Sequence, residues 1–210
     1  MNKVILFQGD SITDCGRVRE NPAHESQALG PGYPALIAAK VMSSDWGTRR
    51  TFVNKGISGD RVVDLYARWK RDAINIRPDV LSILIGVNDT WHEMSYSNGV
   101  EPARYDKFYR MLLDWSLESK ADTKFVLLEP FILKFITSAW VDEISERQQI
   151  VKKIAADYNA VFVPLQKKIE EAADAARNPA LVLRDGVHPT LYGHQLIADE
   201  CLKYAGELYK

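Results

Sequence analysis

Five short apolar runs rich in β-branched residues, at positions 4–7, 51–53, 80–85, 125–128 and 161–163, constrain what this chain can fold into more than any other feature. Each is bounded by Gly, Pro, Asn or Asp and reads as a strand covered on both faces. Between the runs the apolar residues change to helical spacing: Val62, Leu65, Trp69 and Ala73, then Tyr105, Phe108, Leu112 and Trp115, then Ile144, Val151, Ile154 and Tyr158. A closing helix is expected to carry Leu191, Ile197, Cys201, Tyr204 and Leu208 on one stripe. Strand and helix alternate throughout, so the economical architecture is α/β, a parallel sheet of about five strands with helices on both faces.

No repeat or linker divides the 210 residues, and a 46% hydrophobic content suffices for a large core, so residues 1–210 are expected to form a single domain. Acidic residues outnumber basic ones by 28 to 27, with no block of like charge. Nucleic-acid and membrane partners, which need a positive field, are therefore not expected. Two cysteines, Cys15 and Cys201, are too few for a disulfide framework, and the first apolar run is too short for a signal peptide's hydrophobic region. No stretch approaches membrane-spanning length, and the cytoplasm is the expected compartment.

Ligands of open parallel sheets bind beyond the carboxyl ends of the strands. The residues that follow the first three runs are Gly9-Asp10-Ser11-Ile12-Thr13-Asp14, Asn54-Lys55-Gly56-Ile57-Ser58-Gly59 and Gly86-Val87-Asn88-Asp89. A fourth set, Asp185-Gly186-Val187-His188-Pro189, follows the last run at a distance. Singly these residues have plain structural readings: Ser11 as a helix cap, His188 as a buried histidine before a helix, Asp185 and Asn88 as turn formers. Together they supply what nucleophilic acyl transfer requires, namely a hydroxyl, a base, an orienter and donors aimed at an oxyanion. Ser11 is then the nucleophile, His188 its base and Asp185 the group that fixes the imidazole tautomer. The oxyanion donors would be the backbone N–H groups of Ser11 and Gly56 and the side-chain amide of Asn88.

Gly-Asp-Ser-Ile-Thr, Asn-Lys-Gly, Gly-Val-Asn-Asp and Asp-Gly-Val-His resemble, in order, the four blocks of the SGNH (GDSL-like) hydrolase family, and the resemblance spans nearly the whole chain. It implies a three-layer α/β/α, flavodoxin-like fold with strand order 2-1-3-4-5, and it gives Ser11, Gly56, Asn88 and His188 the four name-giving positions. The surroundings of Ser11, Gly56 and Asn88 are similar to those of bacterial acetyl xylan esterases within the family, which implies a serine esterase removing acetyl groups from carbohydrate hydroxyls. Asp10 and Trp91 are the candidate substrate contacts: directly after the Asn88 block, the Trp91 indole reads as a face stacking on a sugar ring, as the closure of a small acyl pocket or simply as a buried aromatic, while His92 stands where that subgroup would have an arginine. The apolar stretch 131–136 reads as a wall of the acyl pocket, an oligomer contact or a helix on the sheet.

Neither Gly-x-Gly-x-x-Gly nor Gly-x-x-x-x-Gly-Lys-Ser/Thr occurs, so a nucleotide-binding protein of the same fold class is disfavoured and no cofactor is expected. Asp185 and His188 form the only tempting ligand pair, without a second cluster to complete a metal site. The expected partner is a small-molecule ester, such as an acetylated oligosaccharide. The alternative within the family is a lysophospholipase or thioesterase.

Overall fold

The computed structural model describes residues 2–45, 47, 49–133 and 137–210. Among these, each apolar run forms a strand: β1 (Lys3–Gly9), β2 (Arg50–Asn54), β3 (Val80–Leu84), β4 (Lys124–Leu128) and β5 (Val161–Val163). All pair in parallel in the order β2-β1-β3-β4-β5, the order that the resemblance implies. Phe7 of β1 stands opposite Asn54 on one side and Ser82 on the other, which sets the ends of β1, β2 and β3 close together.

The helices are α1 (Ser11–Asp14), α2 (Glu25–Leu29), α3 (Tyr33–Ser44), α4 (Val62–Trp69), α5 (Val87–Tyr96), α6 (Pro102–Ser119), α7 (Ser138–Asp157), α8 (Gln166–Ala176) and α9 (Leu191–Tyr209). Successive strand residues serve opposite layers, as strand geometry requires. Ile5 and Phe7 pack with α3, α8 and α9, whereas Leu6, Leu81, Ile83 and Leu127 pack with α4, α6 and the C-terminal half of α7. Both faces of the sheet are thus covered, which is why the strand sequences are apolar without alternation.

The stripe expected on α9 is rotated. Leu191 is 71% exposed and Tyr204 43%, while His194, Ile197, Ala198, Cys201, Ala205 and Tyr209 face inward. Of the stretch 131–136, Phe131, Ile132 and Leu133 are buried in the core, and the remainder lies outside the described residues.

Candidate active site

β1 turns into α1 through Gly9, whose φ of +156° and close approach to Leu84 O and Thr13 leave no room for a side chain. Asp10 caps α1, accepting the Ile12 N–H at 2.9 Å, and Ser11 is the first helical residue. The loop after β2 is tied to α1 by Asn54, whose Nδ2 donates to Thr13 O at 2.7 Å and to Leu29 O at 2.8 Å. Asp14 adds a second tie, accepting from the N–H and hydroxyl of Ser58. These bonds give the short, otherwise weak α1 a fixed position.

The segment 185–188 comes to α1 from the far end of the chain. Ser11 Oγ lies 2.9 Å from His188 Nε2, and His188 Nδ1 lies 2.7 Å from Asp185 Oδ2. Asp185 Oδ1 also accepts the backbone N–H groups of His188 at 2.8 Å and Val187 at 3.1 Å. Burial alone would raise the Asp185 carboxyl pKa, but these donors outweigh it and hold the group below its ordinary value. An ionised Asp185 keeps a proton on Nδ1 and leaves the Nε2 lone pair for the hydroxyl. The structure therefore brings together three residues that are far apart or separated by a turn in sequence.

Asn88 sits in the first turn of α5, 7% exposed, and one of its Nδ2 hydrogens is donated to Asp60 O at 3.1 Å. The other has no partner among the described residues. The N–H of Gly56 is differently placed: Asn54 Oδ1 accepts it at 2.9 Å, and a Cβ there would meet Asp14 N at 2.4 Å. Gly56 is thus pressed against α1 with its donor already engaged. The N–H of Gly59, three residues on, has no partner among the described residues, and Gly59 precedes the Asp60 whose carbonyl holds the Asn88 amide. Asp10 also departs from the sequence reading. It is 1% exposed beneath Ser11, so as a helix cap it has no surface to offer a substrate.

Trp91 does lie at the site, its ring centre 5.9 Å from that of His188. Its other neighbour is Trp140 of α7, edge-on at 5.4 Å, and both indoles are half-buried. His92 packs edge-on against Tyr96, and burial followed by the charge of Arg61 lowers its pKa. His194 is a core residue: burial, then the positive charge of Arg184, push it down to about 4. Its Nδ1 faces the Tyr33 N–H and its Nε2 faces Cys15 Sγ at 3.2 Å. Among the described residues no group of three His, Cys, Asp or Glu side chains could hold a metal ion, and no helix is long and apolar enough to cross a membrane.

Sequence reasoning missed Asn54, Gly59 and Trp140. The first two lie within the segment flagged after β2, and an asparagine bonding the N–H two residues ahead is a common local habit. Trp140 is brought to Trp91 only by the packing of α7 beside α5.

The model of the GDSL-like lipase/acylhydrolase family matches residues 7–196. An acetylxylan esterase from Geobacillus stearothermophilus is 36% identical over 207 residues, 96% of this chain and 93% of that protein. Its crystal structure matches with a TM-score of 0.85 at 34% identity, covering 96% of this chain and 93% of the other. A protein described as a GDSL-like lipase from Parabacteroides merdae matches with a TM-score of 0.91 at 39% identity, covering 97% and 95% of the two chains. Solved variants of the Geobacillus enzyme described as catalytic mutants include one at a serine and one at an aspartate. With the fold, the ordered blocks and these relatives in agreement, the chain belongs to the GDSL-like lipase/acylhydrolase family and is a carboxylic ester hydrolase.

Proposed function

We propose that the protein is a serine acetylesterase that deacetylates carbohydrate hydroxyls, such as those of xylo-oligosaccharides, through an acyl-enzyme on Ser11. The observation that carries the mechanism is the continuous hydrogen-bonded line from Ser11 Oγ to His188 and on to Asp185. Ser11 Oγ attacks the ester carbonyl as its proton passes to His188 Nε2, giving a tetrahedral oxyanion. Collapse breaks the bond to the sugar oxygen, which takes the proton from His188 and leaves as an alcohol. Water then attacks the acetyl-enzyme, giving its proton to His188, and acetate departs as Ser11 recovers its hydrogen. The oxyanion donors are the Ser11 N–H, the second Nδ2 hydrogen of Asn88 and, in place of Gly56, the Gly59 N–H beside the Asp60 carbonyl.

The substrate class is supported by the likeness to the acetylxylan esterase and by the Trp91–Trp140 pair beside His188, since indole faces stack on sugar rings. The test offers the enzyme 4-nitrophenyl esters from acetyl to octanoyl, acetylated xylo-oligosaccharides and lysophospholipid. Acetyl esters should be preferred, with the rate falling over several carbons because each unaccommodated methylene is worth only ~1–3 kcal/mol. Trp91→Ala should lower kcat/KM more on acetylated sugars than on 4-nitrophenyl acetate. A preference for lysophospholipid, unaltered by Trp91→Ala, would replace this reading with a lipid-directed or thioester-directed one.

A further inference from the structure

A second cleft opens between α7 and the start of α8, with a volume of about 240 Å³. Ile132, Val141 and Ile144 form its apolar wall, and Ser145, Gln148 and Glu170 its polar one. Val141 follows Trp140 directly, Trp140 meets Trp91, and Trp91 lies against His188. On the other side the Leu133 N–H donates to Gly186 O at 2.9 Å, tying the loop that carries Ile132 to the segment that carries the triad. The cleft therefore shares α7 with Trp140 and, through the loop that carries Ile132, is tied to the segment that carries Asp185 and His188.

Its central group is Gln148. Nε2 donates to Pro130 O at 2.9 Å and to Gln166 Oε1 at 3.0 Å. A proline carbonyl can only accept, so the orientation of the amide is fixed and both its hydrogens are engaged. Gln166 is in turn pinned by Ile132, accepting its N–H at 3.1 Å and donating to its carbonyl at 2.8 Å. Gln148 Oε1 is left without a partner among the described residues although the side chain is only 9% exposed, and it is not among the atoms sealed from solvent. A rigidly held, unpartnered acceptor in a nearly buried side chain is a position prepared for a donor from outside.

We propose that this cleft binds a neutral sugar ring of the acetylated oligosaccharide, beyond the ring being deacetylated. This rests on the carbohydrate esterase reading given above. A pyranose presents C–H faces to an apolar wall and hydroxyl donors at its edge, which match Ile132, Val141 and Ile144 on one side and Gln148 Oε1 on the other. The volume, below the roughly 300–1,000 Å³ of drug-sized pockets, suits a single ring.

Ser145 is exposed on α7, so a Ser145→Trp substitution fills the cleft at a position where the fold tolerates change. In the wild type, kcat/KM should rise about tenfold from acetylated xylose to acetylated xylotetraose, the equivalent of one well-made hydrogen bond with its ring contact. In Ser145→Trp that rise, taken relative to 4-nitrophenyl acetate hydrolysis by the same preparation, should disappear. Unacetylated xylotetraose should give calorimetric binding to the wild-type protein that the substitution abolishes. An equal chain-length gain in both proteins, absent xylotetraose binding, or equal binding by both would overturn the proposal. If 4-nitrophenyl acetate is hydrolysed but no acetylated sugar is, the carbohydrate reading fails, and the calorimetric comparison still decides whether the cleft takes a sugar.

Discussion

Asp185 holds His188 at two points: Oδ2 faces the ring Nδ1 at 2.7 Å while Oδ1 accepts the backbone N–H of the same residue at 2.8 Å. Both the position of the histidine and the tautomer of its ring are thereby set by one carboxylate. Asp185→Asn should lower kcat on 4-nitrophenyl acetate by a factor on the order of 10⁴, the scale of the corresponding change in the serine-protease triad. Circular dichroism should show an unchanged fold, because the Asp185 side chain is about half exposed and asparagine has the same shape. Near-normal turnover would mean that another group orients the base.

Asn88→Ala removes a donor that the Asp60 carbonyl holds in place. The expected loss is on the order of 3 kcal/mol of transition-state stabilisation, seen mainly in kcat. A rise in KM with kcat unchanged would make Asn88 a ground-state binding residue instead.

Asn54 is buried, and its side chain bonds Thr13, Leu29 and Gly56. Asn54→Ala leaves these groups unpaired and should destabilise the protein by several kcal/mol, each orphaned group costing ~1–3 kcal/mol. Urea unfolding measures this directly. A stability equal to that of the wild type would show that the loop after β2 does not depend on it.

Two buried carboxyls behind the site, Asp10 and Asp89, are pushed up to about 7, chiefly by burial. An unfolded chain releases these protons near pH 4, so between about pH 4 and 7 the native state binds more protons and stability falls as pH rises. Asp89→Asn keeps an oxygen for the Val62 N–H that Asp89 Oδ1 accepts, yet cannot ionise. Relative to the wild type, this variant should gain about 2–3 kcal/mol in unfolding free energy from pH 5 to pH 8. A difference independent of pH would show that Asp89 is ionised in the native protein throughout.

The sheet was legible because its strands are covered on both faces and so read as unbroken apolar runs, each recovered to within a few residues. The phase of α9 was not, because it is set by a residue that carries no hydrophobic signal. Gly193 packs so closely on Val182 O that a Cβ there would approach to 2.4 Å, which turns the Gly193, Ile197 and Cys201 side inward and leaves Leu191 outside. At the site, Ser11 and Asn88 were legible as residue types placed just after strand ends, and Asp185 and His188 by their three-residue spacing before the closing helix. Which N–H of the loop after β2 is free depends on the Asn54 side chain, a three-dimensional fact even though the habit behind it is local. Trp140 was beyond reach, since nothing within α7 announces that α5 will bring it a tryptophan.

The central claim is that Ser11 alone forms the covalent intermediate. A fluorophosphonate probe followed by peptide mass spectrometry tests it most directly, with Ser11→Ala as the comparison. The account predicts stoichiometric labelling of Ser11, loss of that label in the variant and loss of nearly all its esterase activity. Labelling at another serine, or an unlabelled variant that still hydrolyses 4-nitrophenyl acetate at the wild-type rate, would contradict it.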